Sequence, residues 1–172
     1  MIRRAIIYPI SFMLFVLIQV FVLNNVQFSG TVNPFLYILF VLWLPIDLNK
    51  FMVLGISFLL GLSVDVFSDT LGMHTSAMVF LAFIRPYVLR FLAPRDGYEG
   101  SQIPSIGNLG FTWFLTYATI CTFLHHFFLF FVEVFRFTEF FDTIWRILAS
   151  SFFSIILILM TQFFHYNAED RR

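Results

Sequence analysis

Charged side chains are scarce in this sequence, where they make up 12% of 172 residues. A water-soluble domain usually carries about a quarter of charged residues, so this is not the composition of a soluble protein. The ten basic and ten acidic side chains also cancel to a net charge of zero. A chain without a basic surplus has no long-range attraction for polyanions, which excludes nucleic-acid binding as its main function.

Cysteine and lysine are almost absent as well. Cys121 is the only cysteine, so the chain forms no intrachain disulfide, and Lys50 is the only lysine. The sequence also lacks the motifs of zinc metalloproteases, serine hydrolases, Ser-x-x-Lys enzymes and phosphate-binding loops. Asp65 is the single aspartate expected at membrane depth, which argues against an intramembrane aspartic protease. We therefore expect a protein without enzymatic activity, cofactor or metal ion.

Apolar residues dominate the composition: 60% of the chain is hydrophobic, including 27 Phe, 6 Tyr and 3 Trp. A soluble fold of this size has too little interior for so many aromatic rings, so lipid must cover part of them. Six apolar segments are separated by residues that end helices, and a transmembrane helix needs about 20 residues. The sequence predicts an all-α integral membrane protein, a compact six-helix transmembrane bundle in a single domain, with spans near 5–23, 34–46, 51–66, 71–92, 109–134 and 143–164.

Several of these spans have unusual features. The second span starts at Asn33-Pro34, and both it and the third are short for a bilayer. We expect them to recruit flanking polar residues, to thin the membrane, or to pack inside the bundle. Gly55 and Gly61 of the third span are expected to let a neighbouring helix approach closely. In the fourth span, Pro86 predicts a kink or an early end to the helix.

The cations predict how the spans are oriented, because short loops rich in Lys and Arg stay in the cytoplasm. The polar loop 93–108 is expected to be cytoplasmic, with Arg85 near that face, whereas the opposite face holds Arg136. Both chain ends are then cytoplasmic, as six crossings require. The cations on the predicted cytoplasmic face are Arg3, Arg4, Lys50, Arg90, Arg95, Arg171 and Arg172.

The densest group of polar residues in an apolar setting joins the third and fourth spans, over residues 61–76. An ionisable group within a membrane is costly, so Asp65 is a candidate functional residue. A structural role competes with this interpretation. Ser68, Asp69 or Thr70 can cap the fourth helix, and Asp65 can hold the turn or pair with His74.

This stretch carries a recognisable pattern, Gly61-x-x-x-Asp65-x-x-Ser68-x-x-Leu71-Gly72-x-His74-x-x-Ala77. Placed after two or three spans of a chain of this length, the pattern resembles that of the rod-shape-determining protein MreD family. The length, the number of spans and the Asn33-Pro34 start of the second span are similar too. The family pattern is expected to have a glycine after the serine, where this chain has Asp69.

The resemblance implies a non-enzymatic membrane subunit of the machinery that elongates the bacterial cell wall and maintains rod shape. Such a protein is expected in the bacterial inner membrane, beside an MreC-like bitopic protein. MreB, RodZ, the glycosyltransferase RodA and a penicillin-binding transpeptidase are further implied partners. The residues of the partner motif would be Gly61, Asp65, Ser68, Gly72 and His74.

A function of a different class fits the same predicted architecture. Vitamin-binding subunits of small-molecule importers are also compact six-helix membrane proteins of similar length. Such a subunit needs a deep pocket that opens outward between its helices. The polar groups Asn24, Asn25, Asp65, Asp69 and His74 are expected on the outer side and are candidates for lining it.

Two further features concern single side chains. Cys121 and His125 lie four residues apart, with Glu133 eight residues further on, so a metal site can be drawn from them. A working site needs three or four converging ligands, and this favours histidines that simply pack. Arg146 is an intramembrane charge in the sixth span, expected to face the bundle, pair with Asp142 or extend to the surface.

Overall fold

The structure is a computed structural model that describes residues 2–25, 32–70, 72–100, 102–134 and 140–169. Leu71 of the motif, Arg136 and the tail 170–172 lie outside the described residues. The described part is helical and contains no β-strand. Its helices are α1 (Ile2–Phe21), α2 (Ile38–Leu42), α3 (Lys50–Ser68), α4 (Met73–Phe91), α5 (Ile106–Leu109), α6 (Phe111–Val134) and α7 (Phe140–Glu169), with a 3₁₀ turn at Leu23–Asn25.

Four apolar stretches are long enough to cross a membrane, and they indicate a membrane protein. They are Ile7–Asn25, Lys50–Ser68, Phe111–Val134 and Phe140–Phe164. Helix α4 has 19 residues as well, but polar side chains such as His74, Thr75 and Arg85 lower its hydropathy. Those three side chains are all buried, so α4 turns its polar residues into the protein.

The long helices run between two ends of the bundle. At the end called the hairpin end, α3 turns into α4, and the Asn24 side chain donates to Ser68 Oγ at 2.7 Å. At the opposite loop end, the Ile46 amide donates to the Gln102 carbonyl at 3.0 Å. Helix α3 packs against α1 and α4, and α6 packs against α4 and α7.

The second predicted span differs most from expectation. Only Ile38–Leu42 is helical, and residues 33–36 before it form neither helix nor turn, so the expected helix over 34–46 is wrong. From Phe35 to Leu42 the segment is at most 8% exposed. The segment therefore packs inside the protein, as one of the three expectations held. We call residues 33–44 the central segment.

The structure bears on three smaller expectations. Helix α4 continues past Pro86 to Phe91, so of the two outcomes expected for this proline, a kink or an early end, the early end does not occur. A Cβ atom on Gly55 would meet nothing within 4 Å, so Gly55 is not a helix contact. The predicted loop 93–108 contains the start of the short helix α5, whose first residue is Ile106.

Candidate functional site

Asp65 holds the α3–α4 hairpin together. Its side chain, 4% exposed, points across the turn to the first residues of α4. One carboxylate oxygen accepts from the His74 amide at 3.0 Å and the Thr70 hydroxyl at 2.5 Å. The other accepts from the Thr75 amide at 2.8 Å and the Thr75 hydroxyl at 2.5 Å. The carboxylate therefore satisfies two free amides at the positive end of the helix dipole.

Asp65 thus caps the start of α4, a role for which the sequence suggested its neighbours. Ser68, Asp69 or Thr70 was a candidate cap for α4, but the side chain that accepts the amides of α4 is that of Asp65 in α3. Thr70 instead donates to Asp65. Asp69 ends α3 in the left-handed conformation, with φ 52°, which non-glycine residues seldom adopt. The pairing of Asp65 with His74 occurs through the His74 amide rather than its ring.

Two glycines fit the backbone of this hairpin. A Cβ atom on Gly61 would lie 2.5 Å from the Thr75 Cα and 2.7 Å from the His74 carbonyl oxygen. Only a glycine lets α3 and α4 come so close, which confirms the expected role of Gly61. Gly72 has φ 77°, a left-handed conformation that glycine adopts without steric cost. The motif residues Gly61, Asp65, Gly72 and His74 therefore meet in one structural unit.

Side chains of other helices satisfy the backbone of the central segment. The Gln19 amide group donates to the Pro34 carbonyl at 3.2 Å and accepts from the Leu36 amide at 2.9 Å. Ser154 Oγ accepts from the Phe35 amide at 2.8 Å. Non-helical backbone at membrane depth is tolerated only where protein satisfies its polar groups. Helices α1 and α7 supply those groups here.

The central segment also carries a tyrosine that joins two histidines. The Tyr37 hydroxyl lies 2.9 Å from Nδ1 of His74 and 3.0 Å from Nε2 of His125. Next to them, Nδ1 of His126 lies 2.8 Å from the Thr122 carbonyl and its Nε2 lies 3.1 Å from Ser154 Oγ. Because a carbonyl only accepts, His126 carries its proton on Nδ1 and accepts the Ser154 hydroxyl proton at Nε2.

A cavity of about 240 Å³ opens at the hairpin end, above this polar centre. It combines amide, hydroxyl, imidazole and carboxylate groups with apolar walls. Asn24 and His74, two of the five residues considered for a pocket, line it; Asp65 and Asp69 line a separate shallow groove. The cavity is lined by Asn24, Asn33, Phe35, Ser68, Thr70, Met73, His74, Leu129 and Glu133.

Arg146 lies beside this cavity. Its guanidinium donates to the Glu133 carboxylate at 3.1 Å and lies 4.6 Å from the centre of the Phe130 ring. Arg146 therefore faces the bundle and pairs with α6, one of the expected outcomes. The ion pair is partly exposed, at 21% for Arg146 and 38% for Glu133, so its contribution to stability is small.

Arg85 was expected near the cytoplasmic face, but its side chain does not extend to the surface. It is 2% exposed, because its guanidinium donates to the Leu44 carbonyl and, through Nε, to the Tyr117 hydroxyl at 2.9 Å. Arg85 thereby holds the C-terminal part of the central segment. The cost of burying this charge is offset only by such hydrogen bonds.

Comparison of the chain with protein-family models, with curated protein sequences and with solved structures found no match. Inference about the function therefore depends on the residues and their geometry.

The weak metal site drawn from Cys121, His125 and Glu133 does not assemble. Among the described residues, no three His, Cys, Asp or Glu side chains converge on a point where a metal ion would bind. Cys121 is fully buried, and His125 bonds to Tyr37. The histidines pack and form hydrogen bonds within the bundle.

Sequence reasoning missed Gln19, Tyr37 and Ser154, and it placed Arg85 at the surface. Gln19 and Ser154 had one detectable signal, since each is a polar residue within a predicted transmembrane span. Nothing in the sequence indicated that they bind the same segment, because the bonds join residues 17 and 119 positions apart.

Proposed function

We propose that this chain is a non-enzymatic subunit of the bacterial cell-elongation machinery, similar to the rod-shape-determining protein MreD. It acts in the inner membrane by binding other membrane proteins, first of all an MreC-like bitopic protein. MreB, RodZ, RodA and a penicillin-binding transpeptidase belong to the same proposed assembly.

The observation that carries this proposal is how the α3–α4 hairpin uses the motif residues. All four donors on the Asp65 carboxylate come from the turn and from α4, so its oxygens are fully engaged. Gly61 and Gly72 serve backbone geometry. A motif whose polar group is engaged internally is suited to shape a surface rather than to bind a substrate. Asp69 also adopts φ 52° at the position where the family pattern is expected to have a glycine.

We further propose six crossings with both chain ends in the cytoplasm. The chain runs from Asn33, near the hairpin end, through the central segment to Ile46 at the loop end, so this stretch would account for the second crossing without a full helix. Six passes would place both ends of the chain at the loop end, where Lys50, Arg90 and Arg95 also lie. That distribution agrees with the preference of cations for the cytoplasmic side.

The hairpin offers a surface for a partner helix. Leu62 and Val66 are 40% and 67% exposed and line a shallow groove with Asp69 and Gly72. Helices associate in lipid by close packing beside small residues. The proposed occupant is the single transmembrane helix of the MreC-like protein, whose chain would continue outward past the hairpin end.

Purification of the tagged full-length chain in mild detergent tests the proposal. We expect the MreC-like protein to be recovered with the wild type and lost with Leu62→Trp, which fills the groove. Leu148→Trp is the matched control, because Leu148 is 51% exposed on α7, away from the groove. Equal recovery with both variants contradicts the groove as the binding surface.

The competing function is the substrate-binding subunit of a small-molecule importer. The hairpin-end cavity favours it in one respect, because polar and apolar groups line it together. Its volume of about 240 Å³ lies below the roughly 300–1,000 Å³ of typical ligand pockets, and the central segment fills the space below it. Co-purification of an ATPase pair together with a retained small molecule would favour the importer and contradict our proposal.

A further inference from the structure

Three side chains form a hydrogen-bonded chain that leads from the hairpin-end cavity into the bundle. His74 lines the cavity and is 7% exposed, whereas Tyr37 and His125 are fully buried. The Tyr37 hydroxyl is 2.9 Å from His74 and 3.0 Å from His125. His125 lies eight residues along α6 from Glu133 of the cavity wall, a helical rise of about 12 Å.

The single proton of the Tyr37 hydroxyl couples the two rings. Tyr37 donates to one histidine and accepts from the other. If it donates to Nε2 of His125, it accepts from Nδ1–H of His74, and neutral His125 carries its proton on Nδ1. If it donates to Nδ1 of His74, that ring carries its proton on Nε2, and His125 donates from Nε2. In the neutral chain both rings therefore carry the proton on the same type of nitrogen.

Each arrangement leaves one nitrogen free to accept a proton. In the first, it is Nε2 of His74, for which no hydrogen-bond partner exists among the described residues and whose ring lines the cavity. In the second, it is Nδ1 of His125, which is buried and for which the described part of the chain supplies no hydrogen-bond partner. One accepting position thus lies at the cavity and the other in the centre of the bundle.

We propose that His74, Tyr37 and His125 form a proton-binding site, which takes up one proton from the cavity and transfers the charge to the centre. The proton binds Nε2 of His74. The Nδ1 proton of His74 then moves to the Tyr37 oxygen while the Tyr37 proton moves to Nε2 of His125. His74 is neutral again, Tyr37 keeps one proton, and His125 is the imidazolium.

The surrounding charges limit uptake to one proton. From α3, the Asp65 carboxylate accepts the His74 amide, and a negative charge at this distance attracts a positive charge on the His74 ring. From α6, Glu133 lines the same cavity but is paired with Arg146 of α7. His126 lies beside His125, with ring centres 5.5 Å apart, so a second cation there is repelled. The surrounding charges thus allow one charge shared between His74 and His125.

Nitrogen-15 NMR of the histidine-labelled full chain in lipid bilayers tests this site. It distinguishes rings protonated on Nδ1, on Nε2 or on both. We expect His74 and His125 to show the same tautomer at neutral pH and to change together, with a single midpoint, on acidification. Tyr37→Phe removes the hydroxyl that joins the two rings. In this variant the signal of doubly protonated His125 is expected to disappear while His74 still titrates.

Two internal references accompany the measurement. His126 has its Nδ1 proton bound by the Thr122 carbonyl, so its signal must remain the same in both proteins. Tyr117→Phe removes another buried phenol, the partner of Arg85, and should leave the two histidines coupled.

The proposal is overturned by different tautomers at His74 and His125 in the wild type, by independent midpoints, or by a His125 that never titrates. It is also overturned if Tyr37→Phe titrates like the wild type. Should that variant lose the His126 signal through misfolding, His125→Asn replaces it. The midpoint of His74 must then change, and an unchanged midpoint rejects the coupling.

Discussion

The identities of single residues in the α3–α4 hairpin are required by the geometry of the backbone more than by binding of a substrate. Gly61 lies where any side chain would meet the backbone of α4. Asp65 accepts two amides that α4 cannot pair internally. An intramembrane carboxylate is costly, and here its cost is offset by four hydrogen bonds rather than by a substrate. Adding or removing a single atom in this hairpin is therefore expected to change the stability of the protein strongly.

Gly61→Ala is expected to lower the free energy of unfolding by at least about 2 kcal/mol, since α3 and α4 must separate to admit the methyl group. Gly55→Ala on the same helix is the matched control, because its Cβ atom would meet nothing within 4 Å. Thermal unfolding in detergent measures both. Equal melting temperatures for the two variants would show that the close approach of α3 and α4 is not required.

Asp69 is expected to tolerate glycine and to reject a β-branched residue. At φ 52° a non-glycine residue costs roughly 1–2 kcal/mol, and valine is worse than aspartate because its branched side chain crowds the backbone. Asp69→Gly should therefore unfold at or above the wild-type temperature, and Asp69→Val below it. A valine variant as stable as the wild type would be inconsistent with a left-handed residue at this position.

At the scale of the elements, the central segment is the unusual one. Its sequence is as apolar as that of its neighbours, yet only Ile38–Leu42 is helical and the segment lies inside the bundle. The reason is that Gln19, Ser154 and Arg85 supply the hydrogen bonds that a regular helix would make within itself. Pro34 contributes as well, since it has no amide to satisfy. The segment in turn brings Tyr37 between two histidines.

Ser154→Ala is expected to destabilise the protein by about 1–3 kcal/mol, because it leaves the buried Phe35 amide and His126 Nε2 without a partner. Ser63→Ala is the control. Ser63 lies on α3 and its hydroxyl donates to the Leu59 carbonyl of its own helix, so little should change. Chemical or thermal unfolding of both variants gives the comparison, and equal loss of stability would mean that α7 does not hold the central segment.

At the scale of the whole molecule, lipid-facing and protein-facing residues are sharply divided. Large apolar side chains such as Phe91, Phe141 and Phe164, all more than 70% exposed, cover the outside. Buried histidine, arginine, glutamine and serine side chains lie inside, among a larger number of apolar core residues. In lipid the exposed aromatic surface costs nothing, whereas polar groups must find partners within the protein. The apolar outer surface is what distinguishes this chain from a soluble protein.

The proposed orientation predicts which positions a thiol reagent reaches. Cys121 is fully buried, so the wild type should not react and serves as the control. Asn25→Cys, at the hairpin end, should react with a membrane-impermeant maleimide in intact cells. Asp96→Cys, in the loop between α4 and α5, should react only after the cells are permeabilised. The arrangement places three crossings between these two positions, the central segment, α3 and α4. Reaction of both variants from the same side would refute that odd number of crossings.

Composition and spacing by themselves determined the class of protein, the approximate bounds of the long helices and the residues of the hairpin motif. These are local properties, because hydrophobic runs and helix-ending residues act over a few neighbours along the chain. Only the tertiary structure decided that residues 33–44 are buried with a helix confined to Ile38–Leu42, that Arg85 stays inside, and that Tyr37 joins His74 to His125. Each of those outcomes depends on hydrogen bonds between residues that are far apart in the sequence. A pattern of neighbouring residues does not predict such bonds.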